Sequence, residues 1–204
     1  HRLITSAHEL GLKVVLDLVL NHTSDLHPWF QRARWAAKGS LERDVYVWSD
    51  DQTKFKDAPV LFRKYESSNW EWDEVAGQYY WHRFMRYQPD LNYENPWVQD
   101  QMLDVVDFWL DKGVDGFRLD AVPFLFEREG SRCEGLPETH SFLKKVRKRV
   151  EEKGRDVLLL AEAIQPVEEA APYLADDELH GAFNFSLTAN LFAALASGSA
   201  KNLR

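Results

Sequence analysis

The chain has 204 residues, a formal net charge of −8 at pH 7, 45% hydrophobic residues and 28% charged residues. This composition is typical of a folded protein with a sizeable core. The acidic balance argues against nucleic acid or an anionic membrane surface as a partner, because both require a basic face. No apolar run reaches the roughly 20 residues of a membrane span, so we expect no membrane partner either.

The cysteine content and the first residue bear on the cellular location of the chain and on whether it belongs to a longer protein. Cys133 is the single cysteine, which excludes an intrachain disulfide and predicts a reducing, cytoplasmic location. The chain begins at His1, inside a helical pattern and without an initiator methionine or a signal peptide. We therefore expect a piece of a longer protein.

Aromatic residues are unusually frequent: the chain has 12 Phe, 8 Trp and 7 Tyr. Flat aromatic faces pack well against the C–H faces of sugar rings, because an electron-rich π cloud meets polarised C–H bonds. Large side chains of an ordinary hydrophobic core explain the same composition. Composition alone therefore leaves both interpretations open.

The first elements of the chain are a helix and a buried strand. Apolar residues between Leu3 and Leu10 recur at helical spacing, and Gly11 is placed to end that helix. The run from Lys13 to Leu20 is short, β-branched and almost continuously apolar. Such a run predicts a strand that is buried on both faces, as in a parallel sheet.

Residues 23–94 differ in character from their surroundings. They show little helical periodicity and contain six of the eight tryptophans. We predict an inserted subdomain of loops and short strands. The tryptophans within it are Trp29, Trp35, Trp48, Trp70, Trp72 and Trp81.

Strands and helices alternate again from residue 95 onwards, which predicts βαβ units and a parallel sheet. About four such units fit the chain, as half of a (β/α)8 barrel or as a small open α/β sheet. No glycine-rich phosphate loop follows a strand, so a nucleotide site is not expected. The predicted elements are a helix from Asn95 to Gly113, a strand from Val114 to Val122, a helix from Glu138 to Glu152, a strand from Val157 to Ala161, a helix from Val167 to Leu174, a strand from His180 to Phe185 and a helix from Leu187 to Ala196.

Charged residues lie at the carboxyl ends of three predicted strands, where parallel barrels build their sites. Asp17 and His22 belong to the first strand, Arg118 and Asp120 to the second, and Glu162 follows the third. Arg118 and Asp120 are two residues apart, so they point to the same side of a strand. A structural ion pair without a catalytic role remains an alternative.

Two carboxyl groups with different environments are the arrangement that glycoside chemistry needs. Asp120 is the better nucleophile, because the neighbouring Arg118 keeps it charged. Glu162 follows an apolar strand without a basic neighbour in sequence, which suits a proton donor with a raised pKa. His22 fits equally well as a ligand for sugar hydroxyls and as a structural histidine.

Four segments resemble conserved blocks of the α-amylase superfamily (glycoside hydrolase family 13), and they occur in the same order. One such block alone is a moderate signal, whereas four in order are a strong one. The four segments are Asp17–His22, Gln88–Asn92, Gly116–Asp120 and Ala161–Glu162.

The resemblance implies an α/β fold, namely part of a (β/α)8 TIM barrel that comprises about strands 3 to 6. Residues 1–22 and 95–204 would be barrel segments, and residues 23–94 would be the subdomain B that follows the third strand. The first two strands and the block with the third catalytic aspartate would lie outside the chain. We therefore expect the piece alone to be inactive.

The resemblance also implies roles for individual residues in a retaining double displacement at α-glucosidic bonds. Asp120 would be the nucleophile and Glu162 the acid/base, roughly 5 to 6 Å apart. Arg118 and His22 would bind the glucosyl unit in the reactive subsite, and Asp17 would position them.

Within the superfamily, the chain is most similar to the trehalose synthase group, which are maltose α-D-glucosyltransferases. The substrates and products implied are maltose, trehalose and glucose, without an organic cofactor, and oligomerisation is left open. Residues 163–166 and 181–190 depart from that group. The similar segments include Tyr46–Asp50, Gln78–Phe84, Asp120–Glu127 and Leu136–His140.

Two alternatives accompany this interpretation. One is an α-glucosidase or α-amylase type of hydrolase that acts on short α-glucans. The other, more distant, is a non-catalytic amylase-like subunit of a transporter. Such subunits typically lack the catalytic carboxylates and carry a membrane anchor, whereas Asp120 and Glu162 are both present.

The resemblance finally implies a structural calcium ion that holds the subdomain against the barrel. The ligands would be Asn21, Asp90, Glu127 and the backbone carbonyls of Phe124 and Leu125. All of these are hard oxygen donors, which calcium prefers. The alternative is that Asn21 and Asp90 only form turns.

Overall fold

The computed structural model describes residues 2–154 and 156–203. Strands in this part of the chain form a four-stranded parallel sheet and a separate three-stranded antiparallel sheet. The strands are β1 (Val15–Val19), β2 (Trp48–Ser49), β3 (Trp70–Asp73), β4 (Gln78–Trp81), β5 (Gly116–Asp120), β6 (Leu158–Ala161) and β7 (Gly181–Ala182).

Helices occupy the stretches between the parallel strands. None of those described is long and apolar enough to cross a lipid bilayer. The α-helices are α1 (Arg2–Glu9), α2 (Pro28–Trp35), α3 (Pro96–Asp111), α4 (Pro137–Glu152), α5 (Val167–Ala170) and α6 (Phe185–Ser197), and short 3-10 turns cover Arg43–Val45, Val122–Phe124, Ala171–Leu174 and Ala200–Leu203.

The parallel sheet has the order β1-β5-β6-β7. Parallel strands that are consecutive along the chain are therefore adjacent in the sheet. The order does not reverse, as it would in a doubly wound sheet. A sequential order of parallel strands with intervening helices is the arrangement of a (β/α)8 barrel. The predicted α/β fold is confirmed, and the barrel alternative is favoured over the open sheet.

Alternation along β5 separates the core from the polar face of the sheet. Phe117 and Leu119 are fully buried together with Leu159 of β6, on the side covered by helices. Arg118 and Asp120 point to the opposite face, because neighbouring side chains of a strand alternate. The apolar residues of β5 thus fix the direction in which its charged residues project.

The start of α3 follows directly from its sequence. Asn95 is the N-cap residue, and its side chain accepts a hydrogen bond of 3.0 Å from the backbone N–H of Trp97. Pro96 occupies the first helical position, where its missing N–H has no partner to lose. The helix predicted to start at Asn95-Pro96 is confirmed.

The last third of the chain departs from the predicted boundaries. The helix predicted over 167–174 is a single α-helical turn followed by a 3-10 turn, since Pro172 lacks the N–H that an α-helix requires. The strand predicted over 180–185 is only Gly181–Ala182. Asn184 caps α6 instead, and accepts a hydrogen bond of 2.8 Å from the N–H of Leu187.

The antiparallel sheet lies within the segment assigned to the inserted subdomain. Its order is β2-β4-β3, and Trp70 pairs with Trp81 across it. Both indoles are buried together with Ala58 and Cys133 in a small separate core. These two tryptophans are therefore core residues, as the structural interpretation of the aromatic composition expects.

Gly116 provides a test of how closely the parallel strands pack. A Cβ atom there would lie 2.7 Å from the Leu158 carbonyl oxygen and 2.9 Å from its Cβ. We expect Gly116→Ala to destabilise the protein by about 1–3 kcal/mol, because backbone cannot move away. Gly181→Ala is the matched control, since its new Cβ meets only the end of the Leu160 side chain, at 3.1 Å. Urea unfolding of the intact protein measures both, and equal losses would contradict this account.

Candidate active site

Strand register brings the predicted catalytic residues together. Asp17 of β1 is opposite Arg118 of β5, and Val19 is opposite Asp120. Glu162 directly follows β6, and its backbone N–H donates to the Leu119 carbonyl. Because all three strands run parallel, their carboxyl ends meet at one edge of the sheet.

Arg118 contacts all three acidic residues. Its Nη1 lies 2.6 Å from Asp17 Oδ1 and 2.9 Å from Asp120 Oδ1, and its Nη2 lies 2.6 Å from Glu162 Oε1. One cation thus opposes three carboxyl groups, which would leave an excess of two negative charges if all three were ionised. A structural ion pair does not need such an excess, whereas a functional site gathers groups of this kind.

Solvent exposure of the cluster is graded. The Asp17 side chain is 58% exposed, but those of Asp120 and Glu162 are only 20% and 18% exposed. The prediction that the strand over 13–20 is buried on both faces is wrong, because the face of β1 that carries Val15, Asp17 and Val19 is exposed. The two predicted catalytic carboxyls are the more enclosed members.

The pKa of Glu162 depends on the groups around it. Burial raises the pKa of Glu162, and a hydrogen bond to Asp120 and the charge of Asp120 raise it further, while Arg118 opposes the shift. The two carboxyls bind the two terminal nitrogens of one guanidinium. Their separation of roughly 5 to 6 Å stays a prediction.

Ala121 turns the chain sharply after Asp120. Its φ of 55° is in the left-handed region, which non-glycine residues seldom adopt. The turn directs its backbone N–H to Glu162 Oε2 at 3.4 Å. The sequence does not predict this contact, because an alanine gives no local signal for a positive φ.

His22 is oriented by a residue to which no role was assigned. The Met85 N–H donates to Gln88 Oε1 at 3.3 Å, which turns the amide nitrogen of Gln88 toward His22 Nε2 at 2.9 Å. Nε2 is then an acceptor, and Nδ1 lies 3.4 Å from the amide nitrogen of Asn21. Burial lowers the pKa of His22, and the charge of nearby Asp120 only partly offsets this. His22 is therefore a neutral imidazole close to the acidic cluster.

Two aromatic rings adjoin the cluster and were not predicted. The ring of Phe84 lies 5.3 Å from that of His22, and the ring of Phe183 lies 5.9 Å from the Arg118 guanidinium carbon. Phe84 is the last residue of the similar segment Gln78–Phe84, so sequence similarity marked its position without giving a function. Each ring thus places an apolar surface next to one residue of the site, Phe84 beside His22 and Phe183 beside Arg118.

The side chains predicted to bind calcium form a second, buried cluster. Asn21, Asp90 and Glu127 are 1%, 1% and 8% exposed. Burial raises the pKa of Asp90 to about 8, and burial together with the charge of Asp90 raises that of Glu127. Asn21 Oδ1 and Glu127 Oε1 are buried without a hydrogen-bond partner. The donor set is thus short of positive charge and has free oxygen atoms.

Arg83 is the other charge in this cluster. Its backbone N–H donates to both carboxylate oxygens of Asp90, at 3.2 and 3.1 Å, and its guanidinium binds Glu134. No group of three or more His, Cys, Asp or Glu side chains in the described residues is arranged to hold a metal. A cation here would therefore need the Asn21 amide and backbone carbonyls as well as the two carboxylates.

The sequence matches the family described as alpha amylase, catalytic domain, over residues 1–203. The chain belongs to the α-amylase family. It is 52% identical over 198 residues to the trehalose synthase/amylase of Mycobacterium tuberculosis, and 52% identical over 194 residues to the trehalose synthase of Thermus thermophilus. These matches cover 95% and 94% of this chain, but only 33% and 20% of the relatives. The family predicted from the four segments is confirmed.

Other relatives extend the comparison within the family. The oligo-1,6-glucosidase of Heyndrickxia coagulans is 39% identical over 202 residues, a match that covers 90% of this chain and 36% of that enzyme. A crystal structure of a trehalulose synthase variant in complex with Tris superposes with a TM-score of 0.81 at 31% identity. That match covers 91% of this chain and 36% of the other. The chain therefore spans about a third of these proteins and forms part of their barrel.

The raised pKa of Glu162 predicts how stability depends on pH. Folded Glu162 binds its proton more tightly than the unfolded residue, so stability falls as pH rises from 4.5 through the raised pKa. Glu162→Gln lacks this titration. We expect the free energy of unfolding of Glu162→Gln minus that of the original protein to increase between pH 4 and pH 7.5.

Urea unfolding of the intact protein at several pH values measures this difference. Glu168→Gln is the matched control, because Glu168 is exposed and forms no part of the acidic cluster. A pH-independent difference for Glu162→Gln would mean that the pKa of Glu162 is not raised.

Proposed function

We propose that the intact protein containing this chain interconverts maltose and trehalose by intramolecular transfer of a glucosyl group. The convergence of Asp120 and Glu162 on Arg118 supports the reaction class. The identity of 52% to two trehalose synthases supports the choice of substrate over that of other family members. The chain covers 33% and 20% of these two relatives, so we expect residues outside it to contribute to the same site.

The first step breaks the glucosidic bond of maltose. Asp120 attacks the anomeric carbon, and the bond from that carbon to the bridging oxygen breaks. Glu162 gives its proton to the bridging oxygen, which leaves as a hydroxyl of glucose. The products are a β-glucosyl ester on Asp120 and an ionised Glu162, which Arg118 stabilises.

The second step forms trehalose. The released glucose turns within the site, and its anomeric hydroxyl attacks the glucosyl carbon from the face opposite Asp120. Glu162 accepts the proton of that hydroxyl, and the ester bond to Asp120 breaks. His22 and Arg118 hold the glucosyl unit throughout, and Asp17 holds Arg118. The apolar rings of Phe84 beside His22 and Phe183 beside Arg118 favour retention of the sugar over entry of water.

A hydrolase of short α-glucans is the second candidate. Its support is the 39% identity to an oligo-1,6-glucosidase over 90% of the chain. The two candidates share the first step and differ in whether glucose or water attacks the intermediate. They therefore predict different products from the same residues.

Product analysis of the intact protein with maltose tests the proposal. We expect trehalose as the main product, and a loss of at least about a thousandfold in kcat for both Asp120→Asn and Glu162→Gln. Asp100→Asn is the matched control, because Asp100 is exposed on α3 and does not lie at the carboxyl end of a strand.

Labelled free glucose distinguishes the outcomes. Little label in the trehalose agrees with a retained glucose, and heavy labelling contradicts the intramolecular scheme. Glucose as the sole product would favour the hydrolase. Full activity of Asp120→Asn would contradict the assignment of the nucleophile.

We also propose that calcium binds Asn21, Asp90, Glu127 and the carbonyls of Phe124 and Leu125. The support is the pair of unpartnered buried oxygens and the two buried acids with raised pKa values. The ion would supply positive charge and connect the end of β1 to the segments around residues 90 and 127. It would take no part in the transfer of the glucosyl group.

Calcium removal tests this site in the intact protein. We expect Ca²⁺ to raise the thermal unfolding midpoint of chelator-treated protein, because a ligand that binds only the folded state stabilises it. Asp90→Asn should abolish the increase. Asp57→Asn, an exposed aspartate, is the control and should keep it. An equal increase in both variants would contradict the assignment.

A further inference from the structure

A cleft of about 290 Å³ lies between the inserted subdomain and the barrel helix α3. None of its residues belongs to the Arg118 cluster or to the buried cluster around Asp90. The cleft is formed by α2, by the loop that leads into the 3-10 turn at 43–45, and by the start of α3. Its lining residues are Trp29, Arg32, Leu41, Glu42, Val45, Asn95 and Trp97.

Two tryptophans form the apolar part of this cleft. The ring centroids of Trp29 and Trp97 are 5.1 Å apart, and the rings are inclined by 58°. Trp97 is 44% exposed, although a tryptophan at the start of a helix gains nothing from solvent contact. Val45 and Asn95, which are 6% and 8% exposed, close the bottom.

Two charged residues stand beside the indoles. Arg32 and Glu42 are both exposed, and neither forms an ion pair or a side-chain hydrogen bond with the described part of the chain. The guanidinium supplies only donors, and the carboxylate supplies only acceptors. The cleft therefore presents two flat apolar faces together with free groups for hydroxyls.

We propose that this cleft is a second carbohydrate site, which binds a short α-glucan chain apart from the active site. A sugar ring has an apolar C–H face that fits an indole and a rim of hydroxyl groups that both donate and accept. A ligand that both donates and accepts hydrogen bonds can bind Arg32 and Glu42 at once, whereas an anion or a cation would pair with only one of them. The choice of an α-glucan as occupant rests on the proposed function.

The residues of the cleft would have different roles in binding. Trp97 is the exposed platform for the sugar ring. Trp29 is half-buried against the core and supports Trp97 from behind. Arg32 and Glu42 select the hydroxyl pattern. Substitution of Trp97 thus removes the platform without disturbing the core.

Affinity electrophoresis of the intact protein through gels with soluble amylose tests the site. Asp120→Asn serves as the background, because it prevents turnover of the polysaccharide. We expect Trp97→Ala in this background to weaken binding about tenfold, a loss typical of one aromatic contact. Trp35→Ala is the matched control, since Trp35 lies at the end of α2, is 77% exposed and does not line the cleft.

Arg32→Gln and Glu42→Gln provide a second measurement that does not affect folding, because both side chains are exposed. Each should weaken retention by amylose. Unchanged retention in Trp97→Ala, or an equal loss in Trp35→Ala, would overturn the proposal. The proposal would also be overturned if amylose retained every cleft variant as strongly as the Asp120→Asn background.

Turnover separates this proposal from the proposed function. Trp97→Ala with Asp120 intact should convert maltose at the original rate, because the cleft lies outside the acidic cluster. If maltose is not converted by the original protein but amylose binding still depends on Trp97, the function is wrong and the site stands. If maltose is converted and binding is independent of Trp97, the site is wrong and the function stands.

Discussion

A single guanidinium that opposes three carboxyl groups organises the sheet edge of this protein. Arg118 is held in place because Phe117 and Leu119 on either side of it are fully buried, so β5 cannot rotate. Its two terminal nitrogens are 2.6 to 2.9 Å from oxygens of three different segments. The remaining negative charge is not neutralised within the cluster, and burial together with the charge of Asp120 raises the pKa of Glu162. A proton donor with a raised pKa beside a second carboxyl is the arrangement that a double displacement uses.

The segment that follows β1 connects this edge to the inserted antiparallel sheet. His22 pairs with Asp90 as an isolated bridge, and the Leu91 N–H donates to the Asn21 carbonyl at 2.9 Å. The same short stretch thus contributes one side chain to the acidic cluster and one to the buried cluster around Asp90. Movement of the inserted sheet relative to the barrel would therefore be transmitted to His22.

The sequence predicted the elements with strong apolar runs and missed those governed by backbone geometry. The three longer parallel strands and α3 were recognised because their apolar pattern and caps are local signals. The strand over 180–185 was overestimated, because Asn184 turned out to cap a helix. Asp120 and Glu162 were identified from strand ends and similarity to one family. The contact between Arg118 and Glu162, and the role of Gln88, depend on strands that lie side by side, which residue order alone does not reveal.

Ala121 has a consequence for how this protein tolerates change. Left-handed backbone is unfavourable for branched side chains, so the position next to Asp120 accepts glycine more readily than valine, isoleucine or threonine. Its methyl group is also enclosed, at 3% exposure, which disfavours anything larger. Directed-evolution libraries that randomise the surroundings of the acidic cluster would therefore find few functional members with bulky residues at this point. The narrow choice arises from main-chain torsion and not from any chemistry of the alanine itself.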